Sequence, residues 1–167
     1  MSVSKAMVKM IQFYAQGQNE KCHHDINHFQ KVWAFAKTIG ELEGLDTYTR
    51  ETLELAAIVH DIACPLCREK YGDADGPHQE LEGPAMARAF YEGMGLSGDQ
   101  LDRICFLVGH HHTLNQVDGI DYQILLEADF LVNADESQAH RDQIERFRDR
   151  VYRTKTGIKL LNDIYGL

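Results

Sequence analysis

Leu53-Glu-Leu-Ala-Ala-Ile-Val-His60-Asp61 reads as one helix. Leu53, Ala56, Ala57 and the 60–61 pair recur at helical spacing rather than alternating as a strand would. Pro65 ends the segment, because proline lacks the N–H that a helix interior needs. The same period extends outward. Phe29, Val32, Trp33, Ala36, Ile39 and Leu42 form an earlier helix stopped at Gly44. Met7, Met10, Ile11 and Tyr14 form another, stopped at Gly17. Downstream, residues 64–78 are rich in turn formers and read as a loop. A helix is expected over 79–94, with Gly83-Pro84 bending its start. Ser97 caps the next, whose stripe is Leu101, Ile104, Cys105 and Val108. A turn at 115–121 leads to a deeply buried helix at 124–132, then an amphipathic one over 137–152 with Ile144, Phe147 and Val151 inward. A short helix follows Gly157. No repeat and no run of β-branched alternation interrupts this pattern. The expected fold is all-α, one compact domain over 1–167 of about seven to eight helices.

The composition agrees. A chain of 167 residues, 44% apolar and 26% charged, can build one sizeable core. No apolar run approaches the roughly 20 residues that cross a bilayer. The segment 4–16 is broken by Lys5, Lys9 and Gln12 and lacks the pattern of a secretory leader. With 17 basic against 26 acidic residues, the net charge of −9 disfavours binding to extended nucleic acid, which draws on clustered cations. Cys22, Cys64, Cys67 and Cys105 are too few and too scattered for a disulfide scaffold, so reduced thiols and a cytoplasmic location are expected. Histidine is the outlier: there are nine, most of them near 23–28, at 60 and at 110–112.

His60-Asp61 ends an otherwise apolar helix, where an unpaired His and Asp would cost several kcal/mol. A divalent cation would satisfy both, and the negative end of the helix dipole favours one there. The plainer reading is a helix-terminal His capping a carbonyl beside a solvated Asp. His28 precedes Val32 and Ala36 at i+4 and i+8, which puts it on a core face. Asp129 interrupts Ile124-Leu-Leu-Glu-Ala-Asp129-Phe-Leu-Val132, and a buried carboxylate needs a cation or several donors. Two imidazoles and two carboxylates suit zinc, manganese or iron, and magnesium less well.

In these residues the chain resembles the HD superfamily of metal-dependent phosphohydrolases. The match runs over about residues 20–135 and comprises His28 with Val32 and Ala36, His60-Asp61, Gly83-Pro84-Ala85 and Asp129. The resemblance implies an HD-type domain whose core is followed by C-terminal helices at 137–167. It also implies that His28, His60, Asp61 and Asp129 ligate a primary metal, with one or two divalent ions (Mn, Fe, Zn, Co or Ni, with Mg allowed). His110 and His111 stand where two-metal members supply second-site ligands. Helical extrapolation at about 100° per residue instead keeps His111 and His112 near the Leu101–Val108 stripe and turns His110 away. Either the helix unwinds at Gly109 or the ligands shift by one.

The sequence departs from the family at two places. Gln79 replaces a further His, with His78 and Glu82 close by, and Cys64 replaces a catalytic Glu or Lys. The proton donor is then expected among Glu82, His110 and His111, with Asp61 at the catalytic centre and His24 as a supporting neighbour. Cys64-Pro-Leu-Cys67 lacks the βαβ context of a redox dithiol and a suitably spaced partner pair for zinc, so inert thiols are expected. The basic run 146–155 is either a solvated face or a source of phosphate contacts folded over the centre.

The expected activity is hydrolysis of a phosphate ester, in a nucleotide or another small phosphorylated metabolite. The ion would lower the pKa of a coordinated water and make hydroxide available as nucleophile. Two alternatives share the fold: a di-iron HD-type oxygenase, which the three consecutive histidines favour, and a regulatory module that binds metal or nucleotide without turnover, which Cys64 favours. A small phosphorylated substrate is the expected partner, with no membrane.

Overall fold

A helix with apolar residues around its whole circumference is stable only inside a protein. Among the described residues there are two such helices. In the computed structural model, which describes residues 3–17 and 20–167, no strand occurs among the described residues. The two central helices are α3 (Thr47–Val59), buried throughout from Thr52 to its end, and α7 (Ile120–Glu136), buried continuously from Asp121 to Asp129. Against both lies α2 (Cys22–Leu42), through Phe29, Val32, Ala36 and Ile39. Around this trio pack α1 (Val3–Gln16), α4 (Cys64–Tyr71), α5 (Gly76–Tyr91), α6 (Gly98–Val108), α8 (Arg141–Val151) and α9 (Lys155–Tyr165). The fold is all-α.

The helix ends follow local chemistry. Asp46 caps α3 by accepting from the backbone N–H groups of Tyr48 and Thr49, each at 3.0 Å. Ser97 caps α6 as its sequence suggests, accepting from Gln100 N. Gly44, just past α2, takes a left-handed φ of +76°.

Segment 64–78 corrects the expectation of a loop. Most of it is helical, with only residues 72–75 between α4 and the start of α5. Pro65 sits in the first turn of α4, where its missing N–H costs nothing, so it opens a helix; the helix before it ends earlier, at Val59, and leaves His60 and Asp61 in the turn between the two. Gly72 then ends α4 in the left-handed conformation. Helix α5 begins before Gln79 and runs through Gly83-Pro84, so that dipeptide lies inside the helix and not at its start. The added α4 brings the helix count to nine among the described residues.

Helix α7 is longer than its apolar run and continues to Glu136. Ser137 belongs to its C-terminal cap, and Gln138 takes a positive φ of 53°, so α8 starts only at Arg141. Helix α9 starts before Gly157, because the Thr154 hydroxyl accepts from Gly157 N at 2.9 Å.

Glu127, fully buried in α7, fixes the junction between α8 and α9. Its carboxylate accepts from Gln123 Nε2 (2.7 Å), Arg153 N (2.7 Å), Thr154 N (3.0 Å) and the Thr154 hydroxyl. This approach requires glycine at 157, since a Cβ there would stand 2.0 Å from Glu127 Oε2. On the other side, the Tyr14 hydroxyl donates to the Asp61 carbonyl at 3.0 Å and anchors the turn after α3 to α1.

Candidate metal centre

The three central helices meet at His28 of α2, His60 just past α3 and Asp129 of α7, and Asp61 follows His60 into the same space. His28 and His60 are 3% and 0% exposed and Asp129 is 6% exposed, so water cannot solvate these groups. His28 Nε2 is 3.2 Å from His60 Nε2, 3.2 Å from Asp129 Oδ1 and 3.3 Å from Asp61 Oδ2. His60 Nε2 lies 3.4 Å from Asp129 Oδ1 and 3.5 Å from Asp61 Oδ1. Ligand atoms held about 2.1 Å from one ion stand about 3–3.5 Å from each other. The observed separations have that spacing.

The outer nitrogens define what the inner ones carry. His60 Nδ1 is 2.8 Å from the Ala57 carbonyl, which can only accept, so Nδ1 bears the hydrogen. His28 Nδ1 donates in the same way to Glu136 Oε2 at 2.8 Å. In the neutral rings both Nε2 atoms then present lone pairs inward, facing two carboxylates. Four acceptors converge with no donor between them, and only a cation can satisfy such a set. This donor chemistry fits a divalent metal.

The electrostatics agree. Burial by itself opposes a charge on His28, but hydrogen bonds to Asp129 and Glu136, with the Asp61 charge nearby, push its pKa up to about 11. Burial also opposes the charge of Asp61, yet the imidazoles of His60, His111 and His28 hold it well below the usual carboxylate range. Asp129 is held low against burial by hydrogen bonds to His28 and His60. The centre therefore retains a proton when no other cation is bound.

A second group of ligand atoms joins the first through Asp61, and it comprises Asp61, His111 and His112. Helix α6 ends at Val108, so residues 109–112 are a turn, which brings His111 and His112 rather than His110 toward Asp61. His111 Nδ1 donates to the Val108 carbonyl at 2.7 Å, leaving Nε2 3.2 Å from Asp61 Oδ1. His110 is directed elsewhere. Its Nδ1 meets the Phe106 carbonyl at 2.7 Å and its ring stacks on Phe106, outside both groups.

Glu82 is also held away from the ligands, by Lys70 Nζ and the Tyr71 hydroxyl, each at 2.6 Å. Gln79 donates its amide to the Ala74 carbonyl at 2.6 Å. His78 stacks on Tyr71 and pairs with Asp73. His24 adjoins the centre through Glu136, at 3.3 Å, and through its ring, which stacks on that of His28 with centroids 6.1 Å apart. Cys64 and Cys67 are buried free thiols, and burial pushes the Cys64 thiol far above its ordinary pKa, as an unreactive thiol requires.

The basic run is a solvated face. Arg146 pairs with Asp142, Arg148 with Asp149 and Asn162, and Arg153 donates to the carbonyls of Tyr152 and Arg150.

Two functional neighbours carried no sequence signal. One is Glu136, whose place at a helix end beside Asp135 looks like an ordinary exposed acid. The other is Glu80, which accepts from His112 N and from the Thr113 hydroxyl, both at 2.9 Å, and so holds the turn bearing His111. The Tyr122 hydroxyl, within reach of the His110 and Thr113 carbonyls, secures that turn from α7.

No curated protein and no solved structure matches the chain. The family model described as HD domain matches residues 25–150, more than half of the chain and a span that contains every residue of the centre. The chain therefore belongs to the HD domain family.

Proposed function

We propose that the protein is a metal-dependent hydrolase of a phosphate ester, acting on a nucleotide or another small phosphorylated metabolite. One observation carries the reading: two buried imidazole lone pairs, the buried Asp129 carboxylate and the partly exposed Asp61 carboxylate converge at the meeting point of α2, α3 and α7 in an HD domain. His28, His60, Asp61 and Asp129 would hold the primary ion, and Asp61, His111 and His112 suit a second. When bound, a divalent ion supplies a Lewis acid that activates water near neutral pH and neutralises charge on phosphoryl oxygens.

The protein's own groups do the rest. His60 and His28, tied at Nδ1 to Ala57 and Glu136, keep their Nε2 atoms aimed inward without reorganisation. With both aspartates and Glu136 ionised, one divalent ion leaves the cluster net negative, whereas two would make it receptive to an anionic ester. This favours occupancy of the group that Asp61 shares with His111 and His112. His111, tied at Nδ1 to the Val108 carbonyl, keeps Nε2 aimed at Asp61 as a ligand atom for that second ion.

The test uses chelator-stripped protein reconstituted with defined metals and assayed on a panel of phosphomonoesters and nucleotides. Metal-restored hydrolysis that His60→Ala with Asp61→Ala abolishes is the expected result. Activity that survives the double substitution would overturn the reading. Asp129→Asn, nearly isosteric, serves as the check should the double variant misfold.

A further inference from the structure

A cavity of about 160 Å³ opens on the metal centre, with His111 and Asp129 in its lining. It is smaller than the roughly 300 Å³ at which pockets for drug-sized ligands begin. Its other walls are chiefly apolar. Leu114 comes from the segment before α7, Leu126 and Phe130 from α7 itself, and Phe147 from α8. Phe130 and Phe147 stack with centroids 3.6 Å apart and planes within 3°, and Tyr152 buttresses both edge-on. The wall is therefore a fixed aromatic surface.

Besides His112, the lining holds Asn133, a neutral amide one helical turn beyond Asp129 and on the same face of α7. Its side-chain amide has no protein partner among the described residues. No lysine or arginine lines the cavity among the described residues. Arg146 and Arg148 of α8 are engaged with Asp142, Asp149 and Asn162, and Arg68 is held in a two-pronged pair by Asp25. A polyphosphate chain would find no counter-charge here beyond the metal site, and a nucleoside would find little room.

We propose, resting on the phosphohydrolase reading, that the substrate is a phosphomonoester of a small apolar alcohol, alkyl or aryl. Its organic group lies against Leu126, Phe130 and Phe147, and Asn133 donates its amide N–H to a phosphoryl oxygen. Hydrolysis breaks the ester bond: water adds at phosphorus, the alcohol leaves with a proton, and inorganic phosphate is the other product.

The experiment has two arms on the metal-loaded full chain. Kinetics compare phenyl phosphate and short alkyl phosphates with nucleoside mono- and triphosphates. Calorimetry compares phenylphosphonate, which cannot be hydrolysed, with inorganic phosphate. Phenyl phosphate is expected to exceed nucleotides in kcat/KM, and phenylphosphonate to bind at least about tenfold tighter than phosphate, as burial of a ring implies. Phe147→Ala should remove that difference, and Asn133→Asp, which places a carboxylate against the phosphoryl group, should weaken both ligands. Thermal melts verify that each variant folds.

Phenylphosphonate binding no tighter than phosphate, or nucleotides turned over in preference, overturns the inference and leaves the hydrolase reading standing. The calorimetric preference, abolished by Phe147→Ala but with no ester hydrolysed, overturns the hydrolase reading and supports the cavity's selectivity.

Discussion

Glu136 Oε2 lies 2.8 Å from His28 Nδ1, on the side of the imidazole opposite the metal centre. A carboxylate behind a ligating histidine fixes its tautomer and raises its basicity, and losing such a partner typically lowers metal affinity 10–100-fold. Burial acts against the Glu136 charge, yet the His28 hydrogen bond holds its pKa below the ordinary value, so the carboxylate is charged at neutral pH. Glu136→Gln is therefore expected to weaken the primary ion by about tenfold or more while the fold is kept. Competition against a chromophoric chelator measures it. Unchanged affinity would mean that Glu136 serves only packing.

The pH dependence of the metal-free protein follows from the same cluster. His28 is raised from 6.5 to about 11 on folding, so its contribution is complete below about 6.5 and is lost as pH rises toward its folded value. Asp61 and Asp129 are lowered, so their contribution is complete above about pH 4 and is lost as pH falls further. Chelator-treated protein should thus melt highest between about pH 4 and 6.5 and decline on the alkaline side. Metal must displace the His28 proton, so the melting shift caused by metal should grow with pH. Thermal denaturation from pH 5 to 9, with and without metal, reads both trends. A metal-induced shift independent of pH would count against His28 as a ligand.

Glu127 and Asp129 are two buried acids on one helix with opposite assignments. Glu127 receives four protein donors and Asp129 faces imidazoles, so only the second needs a cation. Gly157→Ala, which drives a Cβ into Glu127, should cost about 1–3 kcal/mol or more in urea denaturation. Affinity for the primary ion should stay within about twofold, because residues two apart on a helix point about 200° apart and Glu127 and Asp129 share no hydrogen-bond partner. Equal loss of stability and metal affinity would show that the two acids act as one unit.

The Glu80 clamp on the His111 turn supports a further expectation. Glu80→Ala removes the acceptor of His112 N and the Thr113 hydroxyl, so amide exchange at these two residues should accelerate. Activity should fall further than affinity for the primary ion, whose ligands lie on other elements. Hydrogen exchange and the chelator titration together separate the two effects.

How far the sequence alone could be read is uneven, for physical reasons. His60, Asp61 and Asp129 stand out because polar groups in apolar runs must be compensated, and His28 because its helical phase points inward. All four meet in space. Helix α4 was hidden because Pro65 is compatible both with ending one helix and with opening the next. The direction of His110 depended on whether α6 continued past Gly109. The helix stops at Val108, and the turn that follows carries His111 inward instead. Glu136 and Glu80 were invisible because their roles arise from contacts across |i−j| of 108 and 32, which no local pattern encodes.

His28, His60, Asp61 and Asp129 are expected to bind one divalent ion together. Titration of chelator-stripped protein with Co(II), followed by visible absorption, tests it most directly in the wild type and in His60→Ala and Asp129→Asn. Saturable binding with a spectrum of mixed nitrogen and oxygen ligation, weakened at least about a hundredfold by either substitution, is the result expected for two ligands of one ion. Binding that neither substitution alters would contradict it.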